Sequence, residues 1–347
     1  MVDPLGGKGP AARTAGAPLL AILGPTASGK SALAIELALR LGGEIVNYDS
    51  VQLYRGFDMG AGKLPAEDRR GVPHHLLDVL DPEQVFTAGD YRRAASQAID
   101  SIRQRMHVPI LVGGTGFYLR ALLVGLFEGP ARSESLRARL DALAERRASL
   151  RARAGGGRHP DSEAARAAVL HRLLARLDSA TAARIHPHDR QKTLRALEVC
   201  LLTRQPMSRM LEHGREGLAG FDVIKVGLHP DRAHLHERIN RRVEKMFAAG
   251  LVDETRAARE RSGGSGVKPL EALGYRQAWS FLEGAIGLEE AVRQTQAATR
   301  QYAKRQMTWF RREPGVEWFA GFGDDPGVQQ QVLDRLSSRR DFNHAHA

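Results

Sequence analysis

The chain has 347 residues, a net charge of +11 from 51 Lys and Arg against 40 Asp and Glu, and one cysteine, Cys200. A lone cysteine excludes an intramolecular disulfide and a cysteine-rich zinc site and fits a reducing, cytoplasmic setting; no apolar run reaches the length of a membrane span. The length allows one large domain or two unequal ones, and the basic balance points modestly to a polyanionic partner, because a cation complement made mostly of arginine also follows from genome composition alone.

In chain order, residues 1–17 are rich in Gly, Ala and Pro and lack an apolar stretch before a cleavage site, so they read as a disordered leader rather than a signal peptide. Ala21-Ile22-Leu23 reads as the end of a buried strand, and Ala32 to Ala38 as a helix. Between them, Gly24-Pro25-Thr26-Ala27-Ser28-Gly29-Lys30-Ser31 has the Gly-x4-Gly-Lys-Ser spacing of a phosphate loop. The glycines let the backbone wrap so that its N–H groups converge on a phosphate at a helix N-terminus; Lys30 reaches the outer oxygens and Ser31 offers a hydroxyl to Mg²⁺. The loop therefore sets the ligand class, a diphosphate or triphosphate, without saying whose.

Glu44 to Tyr48 reads as a second strand, and Asp49 follows its end, where open α/β sheets place their ligand crevice. A carboxylate there can take a proton from a nucleophile, hold a metal, or simply cap the turn. Lys63 is either a second phosphate ligand or a solvated loop lysine. Tyr91 to Met106 is helical, with a cap at Thr87 or Asp90. His107 to Val112 is a third strand, running into Gly113-Gly114-Thr115-Gly116. No acid follows Leu111-Val112, as a nucleotide hydrolase needs in order to organise Mg²⁺ and water. That favours a transferase in which pyrophosphate is anchored and another group moves.

After Pro130 the pattern changes. Ser133 to Arg153 and Ser162 to Asp178 read as helices around a Gly-containing break at 154–161, an all-helical insertion in an α/β chain. A strand returns at Asp222 to Leu228, then a helix carrying Arg238 and Arg242 four residues apart. Farther on, Arg300, Lys304, Thr308 and Arg311 share one helical face, a candidate phosphate stripe; Tyr302, Gln306 and Trp309 share another, with Trp309 read as core. Val316 to Phe319 is a last strand, and after Gly321 the tail turns polar and carries little core. His159, His171, His186 and His188 fit no compact zinc site and read as solvated or capping. The expected architecture is α/β, a P-loop NTPase-like parallel sheet wrapped by helices. Residues 18–129 and 186–320 form its core, 130–185 a helical insertion, and 321–347 a polar tail.

Eight blocks occur in order: GPTASGKS (24–31), DSVQLYRGFDMGAGK (49–63), PHHLLDV (73–79), GGTGFYLRALL (113–123), RIHPHDRQKTLRALEV (184–199), RINRRVEKMFAAGL (238–251), LEALGYRQ (270–277) and AKRQMTWFRR (303–312). Together they resemble the bacterial-type tRNA dimethylallyltransferases, also called tRNA isopentenyltransferases, over roughly residues 18 to 320.

The resemblance implies transfer of a dimethylallyl group from its diphosphate to N6 of the adenosine 3′ of the anticodon, in tRNAs reading codons that begin with U. It implies that residues Gly24 to Ser31 bind the diphosphate, beside the Mg²⁺ that the loop motif places on Ser31, that Thr26 lies near the diphosphate and that Arg242 clamps it. Asp49 is then the general base. Contacts to tRNA are implied at Asp49, Ser50, Val51 and Gln52, at Thr115, and at Gln191, Lys192, Thr193, Leu194 and Arg195. Two further groups are Glu271, Ala272, Leu273, Gly274, Tyr275 and Arg276, and Lys304, Arg305, Gln306, Met307, Thr308, Trp309, Phe310 and Arg311. The inserted helices would grip the anticodon stem-loop, and a monomer without an obligate protein partner is expected. The competing readings are a kinase holding ATP in the same loop, a nucleic-acid-binding protein whose loop senses nucleotide, and a prenyltransferase acting on free adenylates.

Overall fold

In a computed structural model the described residues are 16–127, 129–154, 162–212, 217–263 and 266–339. The expected leader up to residue 15, the break at 155–161 with His159, and residues 340–347 of the tail lie outside them. The chain divides into two compact units, Met1–Leu123 with Leu218–Ala347, and Val124–Gly217.

The first unit opens with β1 (Ala17–Leu23), α1 (Lys30–Leu41), β2 (Gly43–Asn47), β3 (His74–His75), α2 (Ala88–Gln104), β4 (Val108–Val112) and α3 (Gly116–Leu123). Thr87 and Asp90 together close a capping box at the start of α2. The second unit is helical: α4 (Glu134–Ala154), α5 (Ser162–Leu177), α6 (Ser179–Arg184), α7 (Arg190–Thr203) and α8 (Met207–Glu212). The first unit resumes with β5 (Phe221–His229), α9 (Arg232–Ala248), α10 (Leu251–Arg261), α11 (Tyr275–Leu282), α12 (Leu288–Phe310), β6 (Val316–Ala320) and α13 (Pro326–Ser337).

The six strands form one parallel sheet in the order β3-β2-β4-β1-β5-β6. β1 is central, with Leu20 opposite Ile110 on one side and Ile224 on the other. Side chains alternate between faces along a strand. Leu19, Ala21 and Leu23 accordingly join one core with Val46, Leu111 and α2, while Leu20 and Ile22 join another with Ile45, Ile110, Val226 and α1. Covering both faces leaves the carboxyl ends of β1, β2 and β4 as the crevice, so the loops at 24–30, 48–54 and 113–116 meet there.

In the second unit, Leu140 and Ala144 of α4, Leu170 and Leu174 of α5 and Leu194, Leu197 and Cys200 of α7 share one core. Because α7 supplies part of that core, the helical unit extends over 124–217 rather than the expected 130–185. The fully buried Glu198 is held there by Arg137, Arg195 and the backbone N–H of Ser133.

The tail reading is corrected. Within a polar sequence, Val328, Val332 and Leu336 recur every four residues, so α13 presents one apolar stripe. All three are buried in the core that holds Leu33, Leu37 and Leu228. Average polarity hid the period.

Candidate active site

The phosphate loop leaves β1 at Gly24 and enters α1 through Gly29, whose φ of 85° is left-handed. Ala27 also has positive φ, 64°, a strained setting for a residue with a Cβ, of the kind kept at ligand-binding turns. No side chain caps α1, so the first-turn N–H groups and the positive end of the helix dipole are offered to an anion. Lys30 Nζ donates to the carbonyls of Gly24 and Pro25 at 2.9 and 2.8 Å, which folds its cation over the loop. Burial, reinforced by the charge of Arg242, lowers the Lys30 ammonium to about 7.

The loop lines one end of a cavity of about 920 Å³. Arg238, Arg241, Arg242 and Lys245 of α9 line it too. Arg242 is half-buried and has no carboxylate partner among the described residues, whereas Arg238 pairs with Asp324 at 2.8 Å and lies over the Phe322 ring. Arg242 thus presents its charge to the cavity without a protein counter-charge among the described residues. Lys63 is not. Its ammonium bonds Asp58 at 2.8 Å, the Tyr54 carbonyl at 2.6 Å, and Asp78, which uses all three protons.

Asp49 lies on the same cavity. Its Oδ1 accepts the backbone N–H of Val51 at 2.9 Å and of Gln52 at 3.4 Å, so it does cap its turn. Its Oδ2 faces Gly114, where a Cβ would approach Oδ2 to 2.9 Å, Gln306 Nε2 to 2.6 Å and the Tyr302 hydroxyl to 3.2 Å. Only glycine admits this convergence. Burial raises the Asp49 carboxyl above its ordinary value, against the two N–H bonds and the charges of Lys30 and Arg242. Thr115 ties the two strand ends together by accepting the Ser50 N–H at 3.0 Å.

Gln306 and Tyr302 complete the site from α12. Gln306 is 4% exposed; its Oε1 accepts the Thr26 N–H at 2.7 Å and its Nε2 donates to the Gly114 carbonyl at 2.9 Å. One amide thereby spans the phosphate loop and the glycine loop. Tyr302 donates to the same carbonyl at 3.3 Å. The four-residue spacing of Tyr302 and Gln306 marked a helix face, but nothing in it named the face's partner some 280 residues earlier.

Burial sorts the remaining implied contacts. Lys304, Arg305, Thr308 and Trp309 of α12 and Arg311 just after it are exposed, Met307 is half-buried, and Phe310 is fully buried. In the stripe read from sequence, Arg300 turns aside to bond Asn240 and Arg311 bonds His229; on the other face, Trp309 is not core but 38% exposed, its indole against Gly116. The exposed face comprises Gln301, Lys304, Arg305, Thr308, Trp309 and Arg312 along a groove of about 410 Å³. On α7, in the second unit, Gln191 and Lys192 are exposed, Arg195 is half-buried against Glu198, and Thr193 and Leu194 are buried. Glu271 and Arg276 are exposed, Ala272 and Leu273 half-buried, and Gly274 and Tyr275 buried. Tyr275, at 0% exposure, has no surface to offer an RNA. His171 Nε2 donates to the carbonyls of Ala182 and Ile185, and no grouping of metal-ligating side chains occurs among the described residues.

The family model for IPP transferase matches residues 52–313. The tRNA dimethylallyltransferase of Solibacter usitatus is 50% identical over 320 residues, 92% of this chain and 98% of that one. That of Geobacter sulfurreducens is 43% identical over 300 residues, 86% and 91%. Among solved structures, the full-length tRNA isopentenylpyrophosphate transferase from Bacillus halodurans aligns with a TM-score of 0.66 and 34% identity, covering 94% of this chain and 97% of that one. A eukaryotic dimethylallyltransferase acting on tRNA aligns with a TM-score of 0.76 at 24% identity, over 93% and 80%, a likeness of fold. With the phosphate loop, Asp49 and Arg242 facing one cavity, the chain belongs to the IPP transferase family, the tRNA dimethylallyltransferases.

Proposed function

We propose that the chain transfers a dimethylallyl group from dimethylallyl diphosphate to N6 of the adenosine 3′-adjacent to the anticodon, in tRNAs reading codons that begin with U. The observation that supports this most is the single cavity that carries a phosphate loop and four α9 cations as well as the Asp49 carboxylate. The C1–O bond of the allyl diphosphate breaks as N6 bonds to C1, and diphosphate departs with the electron pair. The N6 proton passes to Asp49. An exocyclic adenine amine is a weak nucleophile that becomes acidic as it attacks, and a carboxylate with a raised pKa is a better acceptor than an ordinary one.

Lys30, Arg242 and the free N–H groups of α1 stabilise the charge on the departing diphosphate. Ser31 is exposed on the cavity and suits Mg²⁺, which characteristically takes its other ligands from phosphate oxygens and water rather than from a protein cage. Mg²⁺ bound there would neutralise charge on the leaving group. The adenosine must leave its stack to reach Asp49, and Trp309 with the exposed cations of α12 offers an RNA a stacking and phosphate surface.

The test is transfer from labelled dimethylallyl diphosphate, with Mg²⁺, to an unmodified tRNA bearing that adenosine, with AMP and ATP as competing acceptors. Label in the tRNA alone is expected. Label in free nucleotide would mean an adenylate prenyltransferase, and no label with ATP consumed would mean a kinase.

A further inference from the structure

We propose that Glu254 and Tyr275 are positioning residues of the diphosphate site, acting on Arg242 through the loop 58–63; this rests on the diphosphate reading of the cavity given above. Glu254, on α10, is not on the cavity. Its Oε1 accepts the N–H of Met59 at 3.1 Å and of Gly60 at 3.4 Å, and its Oε2 that of Asp58 at 3.2 Å and Met59 at 3.0 Å. Three successive N–H groups converging on one anion make the nest by which backbones bind phosphates, filled here by a carboxylate of the protein. The Tyr275 hydroxyl donates to the same Oε1.

The loop so held reaches the site. Met59, Ala61, Gly62 and Lys63 line the cavity. The carbonyls of Ala61 and Gly62 accept Gln52 Nε2 at 3.1 and 3.4 Å, and the Gly62 carbonyl accepts Arg242 Nη2 at 3.5 Å. The Gly62 carbonyl is thus the acceptor that the Arg242 fork meets, and the fork lies so close to Gly62 that a Cβ there would come within 1.5 Å of it. The Tyr275 ring fixes the loop from its other side. It is fully buried, edge-on to Phe57 at 5.0 Å between centroids, and lies so close to Gly60 that a Cβ there would come within 2.4 Å of the ring. The Leu-Glu-Ala-Leu-Gly-Tyr-Arg-Gln block thus places its tyrosine behind the site, where it buttresses a loop rather than facing a substrate.

The loop has a second strap. Lys63 ties it to Asp78 and to the Tyr54 carbonyl and closes it internally on Asp58, so loss of the Glu254 charge shifts the loop instead of releasing it. Glu254→Gln turns an NH₂ towards backbone donors and leaves at least one of them without an acceptor. Tyr275→Phe keeps the ring and removes only the phenol bond.

The experiment measures the Kd of inorganic diphosphate by titration calorimetry on the full chain and both variants, with Tm, kcat and the KM for dimethylallyl diphosphate alongside. Displacement of a clamping group by a fraction of an ångström weakens its grip substantially, so Glu254→Gln is expected to raise the diphosphate Kd about tenfold. The KM for dimethylallyl diphosphate should rise by the same factor, with kcat changed less. Tyr275→Phe is expected to raise Kd in the same direction by about twofold, and it decides the matter if Glu254→Gln fails to fold. Wild-type diphosphate affinity in the folded variants, whatever their Tm, would overturn the proposal and reduce the pair to a structural contact. A wild-type protein that binds diphosphate but prenylates no tRNA would refute the proposed reaction, while the diphosphate comparison would still decide this one.

Discussion

Two carboxylates stand five residues apart on one segment of chain, Glu44 near the start of β2 and Asp49 just past its end, and the protein treats them oppositely. Glu44 is 3% exposed and both its oxygens are taken: Arg105 by two bonds of 2.9 and 2.7 Å, His75 at 2.6 Å and His107 at 2.7 Å. These bonds, Arg105 first, hold its carboxyl down to about 2. Asp49 receives only two backbone N–H groups on one oxygen, and its other oxygen faces the glycine loop and the cavity. Burial wins there and the carboxyl is raised. Glu44 is a finished contact at the amino end of a parallel strand; Asp49 sits at the carboxyl end, where this class of sheet opens towards its ligand. An oxygen left without a protein donor is what lets a carboxylate accept a proton from something else.

Substitution should separate the two most widely. Asp49→Asn is expected to cut turnover by about a hundred- to ten-thousand-fold, the range for a lost general base, while Kd for tRNA stays near wild type. Because burial in the folded protein disfavours the Asp49 charge relative to the unfolded chain, removing it should leave Tm unchanged or higher; a lower Tm would show that Asp49 is structural. Glu44→Gln should do the reverse. It leaves Arg105 and two histidines short of acceptors and is expected to cost about 1–3 kcal/mol in denaturant unfolding, with kcat per folded molecule unchanged.

Acid sharpens the same contrast. The folded pKa of Glu44 lies below its ordinary value of 4.5, so its contribution to stability is complete above that pH and is lost as pH falls towards 2. Acid unfolding of the wild type should therefore have a component that Glu44→Gln removes, seen as the two stability curves drawing together as pH falls from 4.5 towards 2. The smallest expected effect is at Lys30. Its ammonium sits at about 7 in the free protein, and a bound diphosphate favours the charged form, so binding at a pH about one unit above that value should take up a fraction of a proton. Calorimetry in buffers of different ionisation enthalpy measures this, and uptake should vanish in Lys30→Ala and shrink at a pH well below 7.

What could be read from the sequence divides along the same physical line. The loop at Gly24 to Ser31 and the place of Asp49 beside it were legible because both depend on local spacing and on position at a strand end. The strands at 107–112, 222–228 and 316–319 were legible as short apolar runs, and β4, β5 and β6 occupy them. Gln306 could not be assigned its place between Thr26 and Gly114, nor Glu254 its place beneath residues 58–60, because periodicity shows that a residue lies on a helix face and not what that face meets. Lys63 looked like a solvated cation or a phosphate ligand and is neither, since its partners come from Asp58, Asp78 and Tyr54 across a loop with no regular period. The face that Trp309 shares with Tyr302 and Gln306 reads as core, but the absent side chain at Gly116 makes the bed on which its indole lies near the surface.

The most direct test of Asp49 as the proton acceptor is the pH dependence of the single-turnover transfer rate, with tRNA and dimethylallyl diphosphate both saturating. A base must be ionised to act, and this one has its pKa raised by burial, so the rate should fall on the acid side with a midpoint above the ordinary aspartate value of 3.8. The residual rate of Asp49→Asn should lack that limb. A wild-type acid limb that persists unchanged in Asp49→Asn, or a rate that does not fall with acid while the protein stays folded, would contradict the role.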